Sequence, residues 1–239
     1  MKLGALMSKP ILLVDDDTQL CELLSDYLSG QGFIPTVVNS GEQALAVLAK
    51  NTVFDAMVLD IMMPQMSGLE LLQIVRQNKA ITTPIIMLTG RGDDVDCIVG
   101  LELGADDYMG KPCNPRELAA RLRAVIRRCE TTSAANNATP KLHGIVLNTA
   151  TLAATCRGQA LNLTGAEFHV LQCLLLGAGQ LLSKHYLTQQ ALHRELTAYD
   201  RSIDVHVSRI RHKLAACGLA DVIRAVRGQG YQLLMPHSS

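Results

Sequence analysis

Long apolar segments are absent from this sequence. No stretch of its 239 residues approaches the roughly 18 uncharged apolar residues that a membrane-spanning helix requires. The opening stretch MKLGALMSKP holds too short an apolar patch for a secretory signal peptide, and Met7 offers an alternative start. We therefore expect a protein that does not enter a membrane.

Closely spaced cysteines are also absent. The seven cysteines are scattered singly and none belongs to a C-x-x-C pair, so the spacing does not favour a metal site. An odd number of isolated thiols is typical of reduced cysteines, which predicts a cytoplasmic protein. The cysteines are residues 21, 97, 113, 129, 156, 173 and 217.

The chain has no net charge, but its two halves differ. Through Arg128 there are 12 basic and 16 acidic residues, whereas from Cys129 onward there are 10 basic and 6 acidic residues and all seven histidines. An acidic half suits cations and a basic half suits polyanions. The halves meet near RRCETTSAANNATPK, which lacks apolar periodicity. We predict one domain over 9–128, a linker over 129–140 and a second domain over 141–236.

Apolar runs alternate with helical stretches in the first domain. Alternation of this kind predicts an α/β fold with a doubly wound, five-stranded parallel sheet. The predicted strands are 11–14, 33–38, 54–59, 84–88 and a last one near DDYMGKP, and the predicted helices are 18–30, 41–50, 69–78, 93–103 and 115–128.

Polar residues stand where these strands end. In a parallel sheet the carboxyl ends of the strands share one edge, where ligands bind. Several carboxylates at one edge repel one another and require a cation, and all-oxygen ligation suits Mg2+. A lysine and a threonine beside them suit a phosphate group, although an aspartate before a helix is often only a cap. The residues are Asp15, Asp16, Asp17, Asp60, Thr89, Tyr108 and Lys111.

The motifs VDDD, LDIMMPQMSG, MLTG and DDYMGKP resemble those of bacterial two-component receiver domains. The resemblance implies that Asp60 accepts a phosphoryl group from a sensor histidine kinase. It also implies that Asp15, Asp16, Asp60 and the Met62 backbone carbonyl hold Mg2+. Thr89 and Lys111 would bind the phosphoryl group, and Tyr108 would move together with Thr89.

A rival hypothesis is an aspartyl-phosphate hydrolase of the haloacid dehalogenase type. Such enzymes place a second aspartate two residues after the nucleophile as the acid/base group. Met62 stands at that position here, which argues against the rival. We therefore expect a protein that catalyses only its own phosphorylation and dephosphorylation.

The stretches DVDCIVGLELGADD and ELAARLRAVIRR resemble the dimerisation face of the OmpR/PhoB subfamily. The resemblance implies a homodimer of the phosphorylated protein, in which acids of one subunit pair with bases of the other. Ordinary solvated helix charges are the alternative explanation. The implied interface residues are Ile98, Leu101, Glu102, Asp107, Ala119, Arg121 and Arg123.

The second domain contains a helix with one apolar stripe. Ile203, Val207, Ile210 and Leu214 recur at helical spacing, which predicts that they face a core. The opposite face would carry Arg201, Val205, Ser208, Arg209 and His212, and such a polar face suits a DNA major groove. A solvated basic helix is the alternative. The later stretch VIRAVRGQGYQLL predicts a hairpin around Gly228 and Gly230.

These stretches, with LTGAEFHVLQCLL, resemble the winged-helix effector domain of the same OmpR/PhoB family. The resemblance implies a transcription regulator that binds double-stranded promoter DNA. It also implies that the loop over 193–199 faces RNA polymerase. The implied DNA contacts are Arg201, His206, Ser208, Arg209 and Arg211 on the helix and Arg227 on the wing.

Overall fold

The computed structural model describes residues 9–50, 52–78, 81–90, 94–130, 141–198 and 200–236. The chain divides into two units, the first ending at Ile126 and the second beginning at Arg127. Within the described residues, no helix is both long enough and apolar enough to cross a membrane.

Within the described residues of the first unit, five strands and five helices alternate, as predicted. The strands are β1 (Lys9–Val14), β2 (Phe33–Val38), β3 (Ala56–Asp60), β4 (Ile85–Thr89) and β5 (Asp107–Gly110). The helices are α1 (Thr18–Ser29), α2 (Gly41–Leu48), α3 (Gly68–Gln77), α4 (Asp94–Leu103) and α5 (Pro115–Glu130). Helix α5 extends two residues into the predicted linker, because no glycine or proline interrupts it there; residues 131–140 lie outside the described residues.

All five strands of this sheet are parallel and lie in the order β2-β1-β3-β4-β5. The order confirms the doubly wound prediction and places β1 and β3 side by side at its centre. Both central strands are buried on both faces, which explains why their sequences are apolar almost without interruption. The carboxyl ends of β1 and β3 therefore bring Asp15 and Asp60 to one edge.

The turn after β3 is held by specific local contacts. Ser67 caps α3 and forms a capping box with Glu70. Gly68 lies so close to the β3 backbone that a Cβ atom there would be 1.9 Å from the carbonyl oxygen of Asp60. Glycine is therefore required at this position, and the close approach fixes the backbone around Asp60.

The part of the second unit that the structure describes consists of short strands and three helices. The strands are β6 (Lys141–Leu142), β7 (Ile145–Asn148), β8 (Ala153–Cys156), β9 (Gln159–Leu161), β10 (Leu181–Ser183), β11 (Ile223–Val226) and β12 (Gly230–Leu233). The helices are α6 (Gly165–Leu176), α7 (Lys184–Ala191) and α8 (Ser202–Ala216). Strands β6 to β9 form one antiparallel sheet in sequence order, and β12 lies between β10 and β11 in another.

The core of the second unit lies among its three helices and two sheets. The four residues of the predicted apolar stripe on α8 are all buried in it, which confirms that part of the prediction. The predicted hairpin is formed by β11 and β12. Gly230 packs so tightly that a Cβ atom would be 2.0 Å from the carbonyl oxygen of Leu182, so this end of the hairpin is anchored to β10.

Candidate functional site

Three carboxylates meet at the carboxyl edge of the parallel sheet. Asp15 and Asp16 follow β1, Asp60 ends β3, and each offers an oxygen within 4.8 Å of the others. Asp15 and Asp60 are buried, whereas Asp16 is exposed. The neighbouring Asp17 instead caps α1 by accepting a hydrogen bond from the Leu20 backbone. The cap interpretation therefore holds for Asp17, while the other three form a group that could hold a metal ion.

Lys111 brings one positive charge to this group. Its Nζ lies 2.7 Å from Asp15 Oδ2 and 3.0 Å from Asp60 Oδ1. The Lys111 backbone N–H donates to the carbonyl oxygen of Thr89, which ties the lysine to the end of β4. The side chain therefore reaches the carboxylates from the end of β5, two strands away from β3, as the sequence predicted.

Burial and charge act in opposite directions on these groups. Burial raises the pKa of Asp60, and the nearby Asp15 charge adds to that rise, while hydrogen bonds from Lys111 and the Met62 backbone oppose it. Burial acts to lower the pKa of Lys111, but its hydrogen bonds to the two carboxylates outweigh burial and raise it. One ammonium therefore does not neutralise the cluster, and a further cation is favoured.

Thr89 ends β4, the strand next to β3, and Tyr108 lies on β5, one strand further away. Thr89 is buried; its hydroxyl donates to the Gly90 carbonyl at 3.3 Å and lies 3.7 Å from Cys97 Sγ. Tyr108 is half-buried and pairs in register with Met87. The Thr89 hydroxyl therefore contacts α4 in this structure.

The residues predicted for a dimer interface divide into three sets. Leu101 and Ala119 are buried within the chain, so these two implied interface residues offer no surface to a partner subunit in this structure. Ala119 packs in the first unit's own core with Leu118 and Leu122. Ile98 is half-buried, and Glu102 and Arg123 are exposed.

Asp107 and Arg121 form an ion pair inside one chain. Arg121 Nη1 lies 2.8 Å from the buried carboxylate of Asp107, and Arg121 Nη2 lies 2.7 Å from Glu117. Glu117 therefore has a partner within its own helix. Arg123 donates to Gln31 at 2.7 Å and lies over the Phe33 ring.

Helix α8 exposes a narrower polar face than predicted. Arg201 and Ser208 are exposed, and His212 lies on the same side. Val205 is buried, so its predicted place on the outer face is wrong, and His206, a DNA contact implied by the resemblance, is fully buried as well. Helix α8 packs against both α6 and α7, and two packing partners cover more of its circumference than one apolar stripe indicates.

Arg209 is turned inward rather than toward solvent. Its Nε forms an ion pair with Glu167, which is fully buried at the start of α6, and Lys213 pairs with the same carboxylate. Burial acts to raise the pKa of Glu167, but Lys213 and Arg209 outweigh it and hold that pKa below its usual range. The prediction that Arg209 lies on the groove-facing side is therefore corrected: its guanidinium stabilises the packing of α8 on α6.

The remaining predicted DNA contacts differ in their exposure and in the contacts that their side chains make within the chain. The Arg211 guanidinium donates twice to the carbonyl oxygen of Ile223 and lies over the Tyr231 ring. Arg227 is exposed at the turn between β11 and β12. Arg201 is 62% exposed and lies 3.6 Å from Asp204.

Sequence reasoning missed a polar network that joins the hairpin to α8. Tyr231 of β12 donates to Asp204 at 2.6 Å, and Lys184 of α7 lies 2.7 Å from the same carboxylate. Burial and the neighbouring Asp204 raise the pKa of Tyr231. The position of Tyr231 directly after Gly230 gave no signal of its partner, because that partner is 27 residues away in the sequence.

Known proteins resemble this chain over almost its entire length. The family model described as "Response regulator receiver domain" matches residues 11–123, and "Transcriptional regulatory protein, C terminal" matches residues 158–233. Transcriptional regulatory protein CpxR of Escherichia coli K12 is 43% identical over 230 residues, covering 94% of this chain and 97% of CpxR. The chain belongs to the response regulators of the OmpR/PhoB type.

Another relative and a solved structure also resemble this response regulator over most of its length. The CpxR homolog of Haemophilus influenzae is 41% identical over 233 residues, which cover 95% of this chain and all of the homolog. A solved structure of a RitR mutant has a TM-score of 0.75 at 22% identity, covers 95% of this chain and 100% of its own, and supports the fold alone. The response regulator is thus a transcriptional regulatory protein with a receiver domain and a DNA-binding domain, and the haloacid dehalogenase alternative finds no support.

The loop predicted to face RNA polymerase is partly described. Residues 193–198 lie within the described ranges, and Tyr199 lies outside them. Arg194 pairs with Asp200 and donates to Ser202 at 2.8 Å, so the loop is tied to the start of α8.

Proposed function

We propose that this response regulator is switched by phosphorylation of Asp60. The observation that carries the proposal is the joint placement of Asp15, Asp16, Asp60 and Lys111 at one sheet edge. A carboxylate there can attack a phosphoryl group and form an acyl phosphate. The donor would be the phosphohistidine of a sensor kinase: the new P–O bond forms as the P–N bond breaks, and the electron pair returns to the imidazole.

The carboxylate set fits Mg2+. Asp15, Asp16, Asp60 and the backbone carbonyl of Met62 would hold the ion through oxygen, its preferred ligand. When bound, Mg2+ neutralises charge on the phosphoryl oxygens. Lys111 already contacts Asp60, so its ammonium would bind a phosphoryl oxygen at the same position.

We propose that the side chains of Thr89 and Tyr108 change position when Asp60 is phosphorylated. The Thr89 hydroxyl would leave Cys97 and Gly90 and donate to the phosphoryl group, and Tyr108 would turn inward with it. Exposed Glu102 and Arg123 and the half-buried Ile98 would then contribute to a homodimer. Asp107 and Arg121 would take part only if their pair within the chain opens.

We propose that α8 enters the major groove of promoter DNA through its exposed face. Arg201 and Ser208 are exposed on that face, and the exposed Arg227 of the wing would reach the minor groove. Arg211 would reach phosphate only with the donors that Ile223 leaves free. The loop over 193–199 would be the surface for RNA polymerase, and a cytoplasmic location follows from these partners.

The test is phosphorylation by acetyl phosphate with Mg2+, followed by intact-mass measurement. The wild-type chain should gain one phosphoryl group, and Asp60→Asn should gain none. Asp17→Asn is the matched control, because it makes the same carboxylate-to-amide change at a helix cap outside the pocket. A full mass gain in Asp60→Asn would overturn the proposal.

A further inference from the structure

The backbone of Asp15 is held by β2 and by the residue that follows it. Asp15 is fully buried, so its backbone groups need partners within the protein. Its N–H donates to the carbonyl oxygen of Val38 at 3.2 Å, which continues the pairing of β1 with β2 by one bond. Its carbonyl oxygen accepts a hydrogen bond from the side-chain amide of Asn39 at 2.9 Å, and the Cys21 sulfur lies 3.5 Å from the same oxygen.

The Asn39 side chain takes the place of a backbone donor at the end of the sheet. In a regular parallel ladder the next N–H would be that of Ser40, but Ser40 is the N-cap of α2 and the chain turns there. A carbonyl oxygen can only accept, so the amide nitrogen of Asn39, and not its oxygen, faces Asp15. The Asn39 backbone N–H donates to Gln43 Oε1 at 2.9 Å, which ties Asn39 to the first turn of α2.

The hydrogen bond from Asn39 fixes the peptide that joins two of the three carboxylate residues. A peptide unit is planar, so holding the Asp15 carbonyl also sets the direction in which the chain continues to Asp16. The Asp15 carboxylate has restraints of its own, because Oδ1 accepts from the Asp17 N–H at 3.0 Å and Oδ2 lies 2.7 Å from Lys111 Nζ. The Asp16 side chain is exposed, so its place in the cluster depends on how its backbone is held.

We propose that Asn39 is a positioning residue for Mg2+ that acts by directing Asp16 toward the ion. This inference rests on the proposed function, in which the three carboxylates hold Mg2+. Partners that orient metal ligands without touching the metal contribute to metal affinity. Removing the Asn39 amide should therefore weaken Mg2+ binding, while Asp60 and Lys111, which belong to β3 and the end of β5, should keep their contact.

The test is a Mg2+ titration of the full-length protein, followed through backbone amide NMR signals to give dissociation constants. Asn39→Ala should bind Mg2+ about fivefold more weakly than wild type, the effect of one ordinary hydrogen bond. Asn39→Leu should show the same loss, because leucine keeps the side-chain volume but has no donor. Ser40→Ala is the matched control: it removes the cap of α2 beside Asn39 and should lower stability in urea, yet bind Mg2+ as wild type does.

A double-mutant cycle separates positioning from a general disturbance of the pocket. If Asn39 acts through Asp16, adding Asn39→Ala to Asp16→Asn should weaken Mg2+ binding by less than about twofold, because the ligand that Asn39 directs is already gone. Phosphorylation by acetyl phosphate gives a second readout. Asn39→Ala should need about fivefold more Mg2+ to reach its half-maximal rate and should match the wild-type rate when Mg2+ is saturating.

The possible failures can be told apart. Wild-type Mg2+ affinity in Asn39→Ala, or its recovery in Asn39→Leu, would overturn the inference and leave the proposed function standing. Independent losses that multiply in the double variant would do the same, as would a lower maximal rate with an unchanged Mg2+ requirement. Absence of saturable Mg2+ binding by wild type would overturn the proposed function and the inference together. Circular dichroism checks the fold of each variant, and Asn39→Leu carries the test if Asn39→Ala does not fold.

Discussion

Each unit of the molecule contains a cluster of charged side chains, and the two clusters have opposite balances. In the first unit, Asp15 and Asp60 are buried and share one ammonium, that of Lys111, with Asp16 nearby. In the second unit, the single buried carboxylate of Glu167 is shared by two cations, Arg209 and Lys213. In the first cluster one cation faces three carboxylates, whereas in the second cluster two cations face one carboxylate.

The balance of charge distinguishes a binding site from a structural contact. Burial raises the pKa of Asp60 despite Lys111, so the carboxylate cluster is stabilised by any further cation that enters it. At Glu167 the two cations outweigh burial, and the pKa is lowered. The second cluster therefore needs no ligand, and its role is to fix α8 against α6.

The largest effect on stability should come from removing the Glu167 carboxylate, which the two cations of the second cluster share. Glu167→Ala leaves two cations facing an apolar interior and should lower the free energy of unfolding by about 3 kcal/mol. Urea unfolding followed by circular dichroism measures this. Glu195→Ala is the control, because that side chain is 77% exposed, and its loss should change the free energy little. Equal, small effects of both variants would show that the Glu167 cluster adds no stability.

The two clusters should also differ in how the free energy of unfolding depends on pH. The pKa of Glu167 in the folded chain lies below its usual 4.5, so its contribution is present above that value and is lost as the pH falls through the folded pKa. The free energy of unfolding of wild type should therefore decrease below pH 4.5 more steeply than that of Glu167→Gln. The difference in slope is at most about 1.4 kcal/mol per pH unit. Parallel curves would contradict the assignment.

The ionisation of Asp60 should change stability with pH in the direction opposite to that of Glu167. Its raised pKa means that the folded chain binds this proton more tightly than the unfolded chain does. The associated stability is present below the unfolded pKa and is lost as the pH rises through the folded pKa. Asp60→Asn should therefore unfold at a higher urea concentration than wild type at neutral pH, and a lower midpoint would contradict the assignment.

The sequence predicted the carboxylate pocket well, because its residues follow apolar strands whose shared edge is a property of any parallel sheet. The helical periodicity placed Val205 and Arg209 wrongly, because it defines one buried stripe and α8 packs against two helices. The DNA contact that the resemblance implied at His206 failed too, since that side chain is fully buried. Thr164 and Glu167 form a capping box at the start of α6. It gave no indication that Glu167 also contacts α8, since that contact joins residues 42 positions apart.

The smallest effect on stability should come from a substitution on the wing, which is the hairpin of β11 and β12. Arg227 is exposed and makes no contribution to either cluster, so Arg227→Ala should leave stability unchanged. It should weaken binding to all DNA sequences alike and reduce the salt dependence of log affinity by about 1. Fluorescence anisotropy with labelled duplexes across several salt concentrations measures both. A loss confined to one sequence would assign Arg227 to base recognition instead.

By its charge balance, the carboxylate cluster of the first unit could hold a cation, and this is the central claim to test. The most direct measurement is a Mg2+ titration followed through backbone amide NMR signals of wild type, Asp16→Asn and the control Asp17→Asn. Wild type and Asp17→Asn should show equal, saturable shifts around Asp15 and Asp60. Asp16→Asn, which lacks one of the three carboxylates, should bind about tenfold more weakly. Equal affinity in all three proteins, or shifts elsewhere in the first unit, would contradict the claim.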